Sequence, residues 1–150
     1  RSPAHIGKKG QSNHRWIVGG KLCFILNQWG VICAWDCATA NVHDTHFQPL
    51  IAQFDGQMIV LTDTGFHAKT GDPANMKVCP RGTWNTRMLV ETVLSMLTTV
   101  FHSKKVGHRV WAYFRARLAW MMVAFNLLAR WSLEIDDENM VRLSIAEFSL

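Results

Sequence analysis

No aspartate or glutamate precedes Asp36, so the opening stretch carries only positive charge, on Arg1, Lys8, Lys9, Arg15 and Lys21. That absence rules out an acidic constellation built from the first part of the chain. The four cysteines (Cys23, Cys33, Cys37, Cys79) lack the paired spacing of a zinc knuckle. Three of them sit in apolar, strand-like runs, and buried reduced thiols in a cytoplasmic protein are the expectation. No secretory pattern opens the sequence. The longest apolar stretch, Leu118 to Ala129, is closed by Arg117 and Arg130 and is too short to cross a bilayer. It reads as a buried helix, and no membrane partner is expected. Internal repeats and low-complexity segments are also missing. Arg1 is not an initiator residue, so the chain is expected to begin inside a longer protein.

What is present is a basic body with an acidic end. Through Trp131 there are fifteen Lys and Arg against six Asp and Glu; after it, one against five. Such an asymmetry suits a nucleic-acid surface, where each phosphate contact releases counterions. The 150 residues suffice for one domain with a proper core.

Coarse organisation follows from periodicity and breakers. Residues 1 to 15 read as a polar loop or arm. Trp16 to Leu26, a turn at Asn27-Gln28-Trp29-Gly30, and Val31 to Cys37 predict an antiparallel hairpin. Asn41-Val42-His43-Asp44 offers a helix start, with Phe47, Leu50, Ile51 and Phe54 at helical spacing. Met58 to Thr62 predicts a short buried strand, followed by a Gly- and Pro-bearing loop to Gly82. Helices are expected from Asn85 to Phe101 and from Arg109 to Arg130. From Ser132 an acidic tail follows, with a loose strand at Met140 to Ile145. The order implies an α/β sandwich around a mixed sheet.

Two carboxylates stand out. Asp63 ends the strand, and Glu91 lies inside the first long helix. An Asp closing a buried strand points out of the sheet edge, and a Glu from a packed helix could meet it there. Two carboxylates on rigid elements can hold divalent cations for phosphodiester displacement. The plainer alternatives are a turn-forming Asp63 and an exposed Glu91 paired with Arg87, one turn back. His43-Asp44-Thr45-His46 looks like a metal nest, but an N-cap role for Asp44 or Asn41 accounts for it better than zinc does. His67, His102 and His108 read as polar surface or phosphate contacts. The apolar residues of the second long helix, Trp111, Tyr113, Phe114, Trp120, Met121, Met122, Phe125 and Trp131, read as core, with a dimerisation face as the alternative.

Three segments and one spacing carry a family likeness. They are His14-Arg15-Trp16-Ile17-Val18-Gly19-Gly20-Lys21 through Asn27 and Gly30, then Asn41-Val42-His43-Asp44, and then Leu61-Thr62-Asp63-Thr64-Gly65-Phe66. The helix adds Trp84, Arg87 and Glu91 at the Tyr-x2-Arg-x3-Glu-x6-Lys spacing, with Thr98 where Lys is usual. Over residues 5 to 131 the chain resembles the catalytic domain of bacterial insertion-sequence transposases of the Asp-Asp-Glu (DDE) type. The resemblance implies a ribonuclease H-like α/β fold, a mixed sheet flanked by helices, with the first strand and its catalytic Asp missing upstream of Arg1. It makes residues 1-131 a partial catalytic domain and 132-150 an acidic C-terminal tail. It further implies Asp63 and Glu91 as catalytic metal ligands, Mg²⁺ or Mn²⁺ as cofactor, and cleavage and strand transfer at transposon ends. DNA, both transposon ends and target, would be the partner, with a homo-oligomer as a further expectation. Lys8, Lys9, Arg15, Lys21, Arg87, Lys104, Lys105 and Arg109 would bind DNA. A catalytically incomplete remnant that only binds DNA or a partner, or a nuclease on the same fold, stays open beside it.

Overall fold

The computed structural model describes residues 9–12, 15–79, 86–104 and 107–135. The expected strand at Met140 to Ile145 lies outside them. The chain divides into two compact units: one formed by Ile6–Ile25 with Ala34–Asn85, the other by Arg1–His5, Leu26–Cys33 and Thr86–Leu150.

In the first unit β1 (Lys9–Ser12) pairs antiparallel with β2 (Arg15–Val18), Lys9 opposite Val18 and Ser12 opposite Arg15. A loop or arm was expected here, and the structure corrects that. Backbone pairing needs no apolar pattern, and the small Gly10 lets β1 pass close to the chain at Ala40 and Asn41. A Cβ at Gly10 would collide with the Ala40 carbonyl.

The predicted hairpin forms as β3 (Gly20–Leu26) and β4 (Ile32–Thr39). Asn27 shapes its turn: its side-chain Oδ1 accepts from the Trp29 and Val31 amides at 3.1 and 3.0 Å. Gly30 supplies a φ of 89°, which a side chain would resist. At the open end Ala40 N–H donates to the Gly19 carbonyl, 2.9 Å.

The helix expected after Asn41 is shorter than its spacing suggested. A single 3₁₀ turn, Asp44–Phe47, leads into α1 (Gln48–Ala52), which has Pro in its first turn. Phe47 and Ile51 are buried; Leu50 and Phe54 pack beside the core formed by Ile25, Ile51 and Val60. The N-cap is His43, whose Nδ1 accepts from Thr45 N–H at 3.3 Å, rather than Asp44 or Asn41. Asp44 is engaged elsewhere.

β5 spans only Val60–Thr62 and pairs parallel with β6 (Met76–Val78). The fully buried strand expected from Met58 is in fact one-sided. Val60 points inward, while Ile59 and Leu61 face solvent, as the period of two demands. β6 falls within the expected loop. Buried Asn75 sits just before it: its Nδ2 donates to the Ile51 carbonyl (2.9 Å) and the Met58 carbonyl (3.3 Å), and its own carbonyl accepts from Val60 N–H (2.8 Å). One residue, through its side chain and its backbone carbonyl, thus ties α1 to the strand that leads into Asp63.

In the second unit α2 (Thr86–Thr99) buries Val93, Met96 and Leu97. It stops at His102, which adopts the left-handed φ of 52° where Gly is usual. Ser103 N–H then reaches back to the Leu97 carbonyl, 3.1 Å. α3 runs Trp111–Ile135, across the expected start of the acidic tail. Its apolar residues divide between two faces. Phe114, Leu118, Met121, Met122, Phe125 and Ala129 are buried at helical spacing, and the Phe125 ring meets Phe101 edge-on. Tyr113, Trp120, Val123, Leu127 and Trp131 are exposed, so the core reading holds for only part of the set. Asn126, beside the buried face, pairs twice with Ile32, accepting from its N–H at 3.0 Å and donating to its carbonyl at 2.9 Å.

The α/β class stands. Among the described residues, however, the strands form three two-stranded ladders, β1–β2, β3–β4 and β5–β6, instead of one mixed sheet. No helix is long and apolar enough to cross a membrane among these residues.

Candidate active site

Asp63 leaves β5 in extended backbone, φ −81° and ψ 175°, and caps the one-turn 3₁₀ helix Thr64–Phe66. Its Oδ1 accepts from Gly65 N–H at 2.9 Å. The turn-forming role weighed for this residue is therefore met, and one oxygen is committed to it. Among the described residues Oδ2 has no hydrogen-bond partner, and the residue is exposed. The strand beneath is fixed: Thr62 accepts from Cys79 N–H at 2.8 Å, and Val60 is buried. Asp63 is thus an exposed carboxylate on a rigid turn.

The 3₁₀ turn at Asp44 lies against the one at Asp63. Lys21, from β3, binds Asp44 Oδ1 at 2.8 Å and the Val42 carbonyl at 2.8 Å through the same ammonium. Its cation is spent on that pair. Close by, Cys23 is half-buried, and its thiol is pushed up to about 12, mainly by burial and then by the charges of Asp44, Asp36 and Asp63. The thiol therefore stays protonated and inert at neutral pH. Asp36, on β4, turns its Oδ1 to the Cys37 amide at 2.8 Å.

A second polar knot follows Asp63. Asp72 accepts from Ala68 N–H (2.9 Å) and Gln48 Nε2 (3.0 Å) on Oδ1, and its Oδ2 meets His67 Nδ1 at 2.7 Å. The Ala68 amide, followed by His67, holds the Asp72 carboxyl below the ordinary carboxylate range. Gln48 Nε2 also reaches the Phe66 carbonyl at 2.9 Å, anchoring the loop to α1.

Glu91 stands exposed on α2, in the other unit. Thr98, at the position where the family carries Lys, spends its hydroxyl on the Leu94 carbonyl, 2.7 Å away. Of the cations expected to meet DNA, Lys104 and Arg109 are exposed. Lys9 and Arg15 lie on β1 and β2 and Arg87 lies on α2, with their side chains outside the described set; Lys8, Lys105 and Trp84 fall outside it altogether. Among the described residues no group of three or more His, Cys, Asp or Glu is placed to hold a metal ion. A hydrated Mg²⁺ needs less, since it keeps several waters and takes one or two carboxylates. Asp63 fits as one of these.

The sequence reading missed both the Lys21–Asp44 pair and the Asp72 knot. The first spans 23 residues, with no local pattern to mark it. The second carried one signal, an Asp just after Gly71 in a loop that also holds His67. No family model matches this chain, and neither the curated proteins nor the solved structures yield a match.

Proposed function

We propose that this chain is part of a DNA transposase of the Asp-Asp-Glu type, on a ribonuclease H-like framework, acting on phosphodiester bonds at insertion-sequence ends. The observation that carries the reading is Asp63: a solvent-facing carboxylate at the end of a strand, held by its own turn, with no hydrogen-bond partner for Oδ2 among the described residues. Chain order supports it too, with a hairpin, a short helix, the Asp-bearing strand and then the Glu91 helix. When bound, Mg²⁺ or Mn²⁺ would activate the attacking oxygen and stabilise the leaving one. The protein's part is to supply Asp63 and Glu91 as oxygen donors and to bring phosphates to them. Lys104, Arg109, Arg115 and Arg117 are exposed cations suited to that second task. The exposed apolar residues of α3 support a homo-oligomer within the same reading.

The test uses the intact gene product with a labelled transposon-end duplex. Asp63→Asn and Glu91→Gln should each lower Mg²⁺-dependent cleavage by at least a hundredfold while DNA affinity changes little. Cleavage surviving in either variant would remove that residue from the site. Binding without cleavage in the parent protein would favour the remnant, and cleavage without strand joining the nuclease.

A further inference from the structure

Gly65 lies between two carboxylates from different elements. A Cβ placed there would stand 3.0 Å from Asp44 Oδ2 and 3.1 Å from Asp63 Oδ1. The missing side chain is what lets both acids approach the same point. Asp44 is fixed on its other side, because Lys21 holds Oδ1 while also binding the Val42 carbonyl just ahead of it. Asp44 is therefore a held neighbour of Asp63, with its charge balanced from β3. Burial first, and then the charges of Asp44, Asp36 and Asp63, push the Cys23 thiol up, with Lys21 opposing them.

We propose that the Lys21–Asp44 ion pair sets the electrostatic potential at Asp63 and so tunes how tightly a divalent cation is held there. This rests on the reading of Asp63 as a cation ligand. Asp44 is a positioning residue acting through Asp63, and Lys21 cancels its charge. The arrangement has a consequence of sign. With the pair intact, Asp63 sees a neighbour of little net charge. Lys21→Met leaves Asp44 bare, adding one negative charge beside the site. Asp44→Asn leaves the ammonium unbalanced, adding one positive charge. At a separation of ~6 Å in a water-exposed setting, one unit charge acting on a divalent ion changes affinity roughly tenfold. The two substitutions break the same bond yet should move affinity in opposite directions. A purely structural role would move both the same way.

The experiment is a Mn²⁺ titration of the ¹⁵N-labelled chain, followed through paramagnetic broadening of the Gly65 amide. The Mn²⁺ concentration for half-broadening should fall about tenfold in Lys21→Met and rise about tenfold in Asp44→Asn. Lys21→Arg keeps the charge and should stay within about twofold of the parent. The double variant Lys21→Met/Asp44→Asn, which leaves no unpaired charge, should also return near the parent value. It serves as the decisive comparison if a single variant folds poorly. Shifts of the same sign in both single variants, or a double variant far from the parent, overturn the inference alone. Absence of broadening at Gly65 in the parent chain overturns Asp63 as a ligand, and the inference with it.

Discussion

Raising the pH should cost this protein stability through one thiol. Cys23 titrates near its ordinary 9.0 in the unfolded chain and at about 12 in the folded one. Between those values the native state keeps a proton that the unfolded state has released. Its contribution is thus complete below pH 9 and is lost as pH rises toward 12. At 1.36 kcal/mol per unit of displacement, the full loss is about 4 kcal/mol, of which about 2–3 kcal/mol falls by pH 11. The cause is burial of the sulfur first, and then the charges of Asp44, Asp36 and Asp63, with Lys21 opposing them. Urea unfolding of the parent and of Cys23→Ala at pH 8, 9, 10 and 11 isolates the effect, since lysine and tyrosine titration is common to both chains. The two stability curves should keep a fixed offset up to pH 9 and then converge by about 2–3 kcal/mol. Curves that stay parallel to pH 11 would refute the reasoning.

Three further outcomes follow from the packing and the loops. Phe125→Ala removes a fully buried ring from α3 and should cost about 3–5 kcal/mol, whereas Trp120→Ala, on the exposed face, should stay within about 0.5 kcal/mol, both by denaturant titration. His102→Gly relieves a left-handed φ at the end of α2 and should raise stability by roughly 1 kcal/mol, read as an upward shift in Tm. Acidification should loosen the loop from His67 to Asp72. The depressed carboxyl of Asp72 stabilises it above the ordinary pKa of 3.8 and loses its hold as pH falls through the lower folded value. Amide exchange at Ala68 should therefore show less protection below pH 4 relative to the intrinsic rate, and Asp72→Asn should remove that pH dependence.

The features legible in the sequence are those whose signals are local. The β3–β4 hairpin was readable because Asn27 and Gly30 mark its turn and apolar residues run on both sides. Helices α2 and α3 were readable from length and composition, to within a few residues at their ends. β1 and β6 were not: Lys9–Ser12 pairs through backbone groups and leaves no apolar pattern, and Met76–Val78 alternates over only three residues inside a Gly- and Pro-bearing loop. The two faces of α3 were hidden for a different reason. A helix apolar all round reads as buried, and only tertiary packing decides that Phe125 goes in and Trp120 stays out. At the site, Asp63 was readable as a strand-ending acid. Its surroundings were not, because Lys21 reaches Asp44 across 23 residues and Gly65 meets Asp44 only once the two turns come together.

The central claim is that Asp63, at the end of β5, is a ligand of a divalent cation. Replacing Mg²⁺ by Fe²⁺ in the presence of ascorbate and peroxide generates hydroxyl radicals at the bound ion, and these cut the backbone nearby. Mass spectrometry of the fragments should find cuts beside Asp63, suppressed by excess Mg²⁺ and missing in Asp63→Asn. No cutting beside Asp63, or cutting that excess Mg²⁺ and Asp63→Asn leave unchanged, would contradict the account.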